Sequence, residues 1–228
     1  MRCVLVSDEF ADKSAVAMNV NFGCSMDVVP YLGTAHLLEH MLFLGTKKYP
    51  DNRKFLEFVK QNGGKRNGMT GLTDTTYFFD VANDALEEGL DIFAQFFTSP
   101  LLTEVAVNGE ANVVHQEYNI ALNDDGWRRL NMLQKLSHKE SNFSRFGTGT
   151  NHLARTEGTT KALIEFHKKW YSANQMNLII SGKAPIAKLE EWTKNMFSDI
   201  PNTNVTQPDF TKPVVPFDKE NLGMLVQY

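Results

Sequence analysis

Residues 65–97 read KRNGMTGLTDTTYFFDVANDALEEGLDIFAQFF, and this stretch decides the fold class. Two strands are expected, Lys65 to Thr70 and Thr75 to Val81, joined by the turn Gly71-Leu-Thr-Asp74. Asn83-Asp84 then opens a helix from Ala85 to Phe97, which Ser99-Pro100 stops. Adjacent strands followed by helices, with single strands between later helices, argue for an α+β layer fold.

Upstream, Cys3 to Val6 and Ser14 to Phe22 read as strands around the polar turn Asp8 to Lys13, so a hairpin is expected. Val16, Met18, Val20 and Phe22 share one face of the second strand. Gly33-Thr34 precedes a helix from Ala35 to Phe43, ended by Gly45, and Asn52 is placed to cap a second helix through Lys60. Downstream, Thr103-Glu104 opens a long helix to about Asp124, and another runs from Trp127 to Ser137. Asn142 to Thr160, rich in Gly, Thr and Asn, reads as a long ordered loop. A helix from Lys161 to Tyr171, a strand from Met176 to Ser181 and a helix from Ile186 to Phe197 follow. The expected architecture is a largely antiparallel β-sheet with helices packed on one face. Residues 1–200 form the packed domain in this reading. Residues 201–228, with Pro208, Pro213 and Pro216, form an extended linker whose strand-like run Gly223 to Tyr228 begins a further domain.

The 228 residues are 42% hydrophobic and 22% charged, which excludes a disordered chain. Lys and Arg number 23 against 27 Asp and Glu, a net charge of −4, so nothing draws the chain to phosphate backbones and no nucleic-acid partner is expected. Apolar runs such as Ile92 to Phe97 are too short for a membrane span. Cys3 and Cys24 lack metal or disulfide-framework spacing and read as reduced thiols; with no signal peptide visible, a cytoplasmic home is expected. No glycine-rich phosphate-binding motif is present in the sequence.

The segment Ala35-His-Leu-Leu-Glu-His-Met-Leu-Phe43 carries the chemistry. At about 100° per residue, His36 and His40 lie roughly 40° apart on one helix face. Two imidazoles one turn apart can bind one tetrahedral Zn²⁺. Glu39 falls on the same side, where its carboxylate can take a proton from a metal-held water and pass it to a leaving amine. Leu37, Leu38, Met41 and Leu42 flank this stripe and would bury the helix. With 6 His and 14 Glu in the chain, composition alone yields such an H-x-x-E-H match about 0.01 times.

H-x-x-E-H is the inverzincin signature. The longer string His36-Leu-Leu-Glu-His-Met-Leu-Phe-Leu-Gly-Thr-Lys-Lys-Tyr-Pro50 resembles the insulysin/pitrilysin (M16) family of zinc peptidases, in particular its insulysin/nardilysin-like branch. The likeness continues through Phe93 to Phe97, Asn123 to Trp127 and Phe146 to Gly149. It implies the LuxS/MPP-like metallohydrolase fold, here as the N-terminal catalytic domain of a family whose members join four such domains or pair two chains. The resemblance implies one Zn²⁺ per chain, held by His36, His40 and, 76 residues beyond His40, Glu117. Local geometry agrees in turning His115, two residues away, to roughly the opposite side of the helix. Glu110, seven residues before Glu117, is implied to steer a ligating histidine through a hydrogen bond.

For substrate, Gly63 to Thr70 resembles the family's exposed edge strand, to which peptides add as an extra strand. Asn67 would orient the peptide; Gly68 stands where the family often has Ala. By similarity, Phe43, Met69, Phe78 and Trp127 line an apolar pocket beside the scissile bond. The implied activity is zinc-dependent hydrolysis of internal bonds in short to medium peptides. In the family a further half, or a second chain, closes the chamber, so the short chain is expected to bind zinc but cleave poorly. A non-catalytic partner domain of the same fold is the alternative, against which the complete set His36, Glu39, His40 and Glu117 counts.

Overall fold

The structure, a computed structural model, describes all residues except 146, 148–152, 154–155, 208, 210–213, 220–221 and 224–228. Five strands form one sheet: β1 (Arg2–Ser7), β2 (Lys13–Val20), β3 (Arg66–Thr70), β4 (Thr75–Ala82) and β5 (Met176–Gly182), in the order β1-β5-β2-β4-β3. Only β1 and β5 run parallel; the other neighbours are antiparallel. Alternation along each strand sends one side chain inward and the next outward. Val16, Met18 and Val20 of β2, Tyr77, Phe79 and Val81 of β4, and Met176, Leu178 and Ile180 of β5 are buried under the helices. Their outward neighbours, including Phe78 and Ile179, lie on the open face.

The expected β1–β2 hairpin does not form. β5 lies between the two strands, and Asp8 N donates to Gly182 O at 2.9 Å, continuing the β1–β5 pairing. Burial explains the insertion. The fully inward row of β5 needs a neighbour on both edges, whereas β1 is exposed at most positions and suits an edge. A polar connection between two strands does not say which strand becomes the neighbour of which.

Among the described residues, seven α-helices accompany the sheet: α1 (Thr34–Leu42), α2 (Lys54–Gln61), α3 (Leu86–Thr98), α4 (Glu104–Ala121), α5 (Asp125–Leu136), α6 (Thr159–Trp170) and α7 (Ile186–Phe197). α1 packs against β3 and β4 on one side and α4 and α6 on the other. Beside it Phe55, Tyr77, Phe79, Phe93, Phe96 and Phe97 form an aromatic cluster, with ring centroids 5.0 Å apart for Phe55–Phe96 and 5.2 Å for Phe93–Phe97, mostly edge-to-face.

Several boundaries differ from the sequence reading. α2 has no side-chain cap from Asn52 or any other residue; Asp51 accepts from Arg53 N at 2.8 Å through Oδ1 and from Lys54 N at 3.1 Å through its backbone carbonyl. α4 stops at Ala121 because Asp124 turns to cap α5, accepting from Trp127 N at 2.9 Å. Of the loop assigned to Asn142 to Thr160, Asn142–Ser144 forms a 3₁₀ turn and much of the remainder lies outside the described residues, as does most of Gly223 to Tyr228. Residues 201–207 have neither helix nor strand and are tied to the body, Ala173 N reaching Pro201 O at 2.8 Å and the Gln175 side chain reaching Val205 O at 2.8 Å. No described helix is long and apolar enough to cross a membrane.

Phe93 is fully buried and touches four other aromatic rings. Phe93→Ala should therefore lower unfolding free energy by about 3–5 kcal/mol in urea titration; a loss below about 1 kcal/mol would show that the cluster does not hold the core together.

Candidate metal centre and substrate cleft

The N-terminus of α1 is held by a carboxylate from upstream. Asp27, 1% exposed, accepts from Gly33 N at 2.6 Å through Oδ2 and from Ala35 N at 2.9 Å through Oδ1. Two of the orphan donors of the helix end are satisfied in this way. Gly33 takes the left-handed conformation, φ 96°, that brings its N–H into line. Arg145 Nη1 donates to Ser25 O at 2.6 Å and Asp27 O at 2.7 Å, fastening the same loop from the far side. Burial pushes the Asp27 carboxyl up to about 7, against the two N–H bonds and the nearby Arg145 charge, which pull it down.

Behind that cap, Leu37, Leu38, Met41 and Leu42 are fully buried, which turns His36, Glu39 and His40 toward α4 and β3. Glu117 of α4 meets both imidazoles: its Oε2 lies 3.5 Å from His36 Nε2 and 3.4 Å from His40 Nε2. The two rings stand at 90° to each other with centroids 4.8 Å apart. Ligands held about 2.0–2.1 Å from a tetrahedral ion stand about 3.3–3.4 Å from one another. The His36, His40 and Glu117 donor atoms, all within 4.8 Å of one another, therefore suit one divalent metal ion. These distances exceed an ordinary hydrogen bond, so the trio converges without closing on itself.

Glu110 Oε1 lies 2.9 Å from His40 Nδ1, which fixes the ring and leaves Nε2 aimed at the shared site. Burial alone would lower the His40 pKa; the Glu110 hydrogen bond and the charges of Glu117 and Glu39 outweigh it and raise the pKa. Glu39, 6% exposed, accepts from Thr70 Oγ1 at 2.6 Å. His115 stacks on Tyr118, outside the metal-ligand trio.

A cleft of about 870 Å³ joins this centre to the edge of the sheet. Phe43, Asn67, Gly68, Met69 and Trp127 line it, together with Ile120 and Leu130. Phe78 does not. It pairs with Ala17 and Asn67 on the open sheet face and is 37% exposed, because the burial of Tyr77 and Phe79 fixes the parity of β4. Asn67 and Met69 share that outer face but still border the cleft, since β3 is an edge strand. Gly68 sits directly over Glu39: a Cβ built there would collide with Glu39 Oε1.

The β3 edge away from β4 is unpaired among the described residues. Asp80 N donates to Lys65 O and Gly71 N to Asp74 O, so ladder alternation leaves the backbone groups of Arg66, Gly68 and Thr70 aimed at that free edge. Asp27, Thr70 and Arg66 were not singled out from sequence as site residues. Period-two alternation from Gly68 would have found Thr70 and Arg66, but nothing local marks Asp27, which reaches its helix across a loop.

This combination of a half-open α+β sheet and an H-x-x-E-H helix answered by a distant carboxylate defines an inverzincin-like metallohydrolase scaffold. The family model described as insulinase (peptidase family M16) matches residues 2–149, and that of the M16 inactive domain matches residues 159–226. The chain belongs to the insulinase family of peptidases, M16. Human and bovine insulin-degrading enzymes are each 36% identical over 231 residues, covering 99% of this chain but 22% of the relative. A putative zinc protease of Schizosaccharomyces pombe is 36% identical over 93% of the chain. The crystal structure of pitrilysin superposes with a TM-score of 0.90 at 35% identity, over 93% of this chain and 23% of that one. The chain thus spans about a quarter or less of the length of these relatives.

The Asp27 cap can be tested by pH. Its folded pKa lies above the unfolded value of 3.8, so its contribution to stability is complete below that value and is lost as pH rises toward about 7. The Tm of the parent relative to Asp27→Asn should fall between about pH 4 and 7, and a pH-independent difference would show that the carboxyl does not titrate in the fold.

Proposed function

We propose that this chain is the zinc-dependent metalloendopeptidase domain of its family, hydrolysing internal bonds of short to medium peptides. The observation that carries this is the meeting of His36, His40 and Glu117, with Glu117 Oε2 3.4–3.5 Å from both imidazole Nε2 atoms and all three donors within 4.8 Å of one another, with Glu39 beside them and a free strand edge alongside. His36, His40 and Glu117 would hold one zinc, which when bound supplies positive charge to polarise a peptide carbonyl and activate water. An extended peptide pairs with the outer edge of β3, using the backbone groups of Gly68 and its neighbours. Asn67 orients it, and Phe43, Met69 and Trp127 receive its apolar side chains.

Glu39 is the general base: it takes a proton from the attacking water and delivers it to the leaving nitrogen. Thr70 holds one carboxylate oxygen, which leaves the other free to face the reaction, and Glu110 keeps His40 in register. Phe78 has no part in this cleft. The limited share of its relatives' length favours a second element of the reading: turnover requires further domains, or a second chain, to close over the peptide.

Glu39→Gln should retain zinc while turnover of a quenched fluorescent peptide falls at least about 100-fold; parallel loss of metal would make Glu39 a ligand instead. Glu117→Gln should lose zinc on dialysis, measured by elemental analysis, and full retention would remove it from the ligand set. Chelator should abolish any turnover and added Zn²⁺ restore it, with higher rates when the chain is supplied with the remaining domains. Equal activity of the 228-residue chain alone would contradict the need for them.

A further inference from the structure

Arg66 stands in the cleft without a role in the proposed chemistry. It lies on the helix-facing side of β3, in line with Gly68 and Thr70, because it pairs with buried Phe79. Its guanidinium carbon rests 4.5 Å from the Phe43 ring centroid, a cation–π seat that fixes a long side chain. Its buried Nε has no hydrogen-bond partner, and among the described residues no carboxylate lies within ion-pairing distance of it. The charge that acts on it most is Glu110, whose Oε1 is already engaged by His40. The other charged side chains of the cleft are acidic: Glu39, Asp74, Glu110, Glu117 and Asp124. Arg66 is thus the one Lys or Arg among the described lining residues.

We propose that Arg66 is a specificity-determining residue that receives an acidic side chain of the substrate peptide. This rests on the edge-strand reading of peptide binding given above. A peptide paired with the free edge of β3 sends alternate side chains to the helix-facing side. The residue opposite Gly68 falls beside Glu39. The residue opposite Arg66 lies two positions along the peptide, about 6.8 Å away, on the same side and against the guanidinium. A carboxylate there gains charge-assisted hydrogen bonds from a donor group that is oriented, partly desolvated and unspent. Elsewhere in the cleft, away from the metal centre, the same carboxylate meets the like charges of Asp74 and Asp124. Asp or Glu is therefore accepted in one register, two residues from the residue held at Glu39, and Lys is rejected there.

The test is peptide binding rather than turnover. Fluorescein-labelled peptides of one neutral extended sequence, carrying a single Glu, Gln or Lys moved position by position, are titrated by anisotropy against the zinc-supplied chain in a Glu39→Gln background. One position should bind Glu about tenfold more tightly than Gln, with Lys weaker than both. Arg66→Gln should bring the Glu peptide to the level of the Gln peptide, and Arg66→Lys should restore part of the preference, with circular dichroism checking that each variant is folded. Binding without a Glu preference at any position, a preference that survives Arg66→Gln, or an equal weakening of every peptide by Arg66→Gln would overturn the assignment while leaving the edge-strand reading intact. Failure of every peptide to bind would remove that reading, and the role of Arg66 with it.

Discussion

Helix α1 must be buried on most of its circumference and still carry three polar side chains on the remaining stripe. Leu37, Leu38, Met41 and Leu42 exclude water from one side, so His36, Glu39 and His40 need partners from the protein. An unsatisfied polar group in such a place costs about 1–3 kcal/mol, and more if charged. Both histidines are answered from α4, by Glu110 and Glu117, and Glu39 from β3 by Thr70, while Asp27 answers the backbone of the helix end. The metal-binding geometry follows from this burial, since the same packing that dries the stripe also fixes where the donors point.

Much of this was legible because it depends on local periodicity. A spacing of four residues puts two imidazoles on one side of any helix, and the flanking leucines tell which side is buried. Glu117 was of another kind: helix periodicity excluded His115, but resemblance, not spacing, selected Glu117. The alternating pattern of β2, β4 and β5 revealed strands and a one-sided sheet. It did not reveal their order, because the neighbour of β2 on one side comes from residues 176–182. Phe78 is left outside the cleft by parity and strand position together, since Asn67 and Met69 face the same way but lie on the edge strand β3 whereas Phe78 lies on the interior strand β4. Its neighbours Tyr77 and Phe79 fill the core, so Phe78 must face away.

Strand β3 serves two sides at once. Its outer edge carries unpaired backbone groups, while its inner face touches the carboxylate of Glu39 through Thr70 and across the bare Cα of Gly68. Any displacement of the strand therefore moves a contact of Glu39. A side chain at residue 68 would press on that carboxylate unless Glu39 turned aside, so the glycine leaves room for the rotamer that Thr70 holds. Arg66, at the other end of the same inner face, ties the strand to Phe43 just beyond α1.

The placement of β5 also bears on how the chain reaches its native state during synthesis. Arg2 lies opposite Asn177, and Val20 opposite Met176, so both strands at the N-terminal end wait for a segment made much later. Contacts this distant in sequence slow folding, because loop closure must precede any gain from pairing. Until β5 emerges from the ribosome, β2 has β4 on one side and an uncovered hydrogen-bonding edge on the other, a species open to aggregation and to chaperone capture.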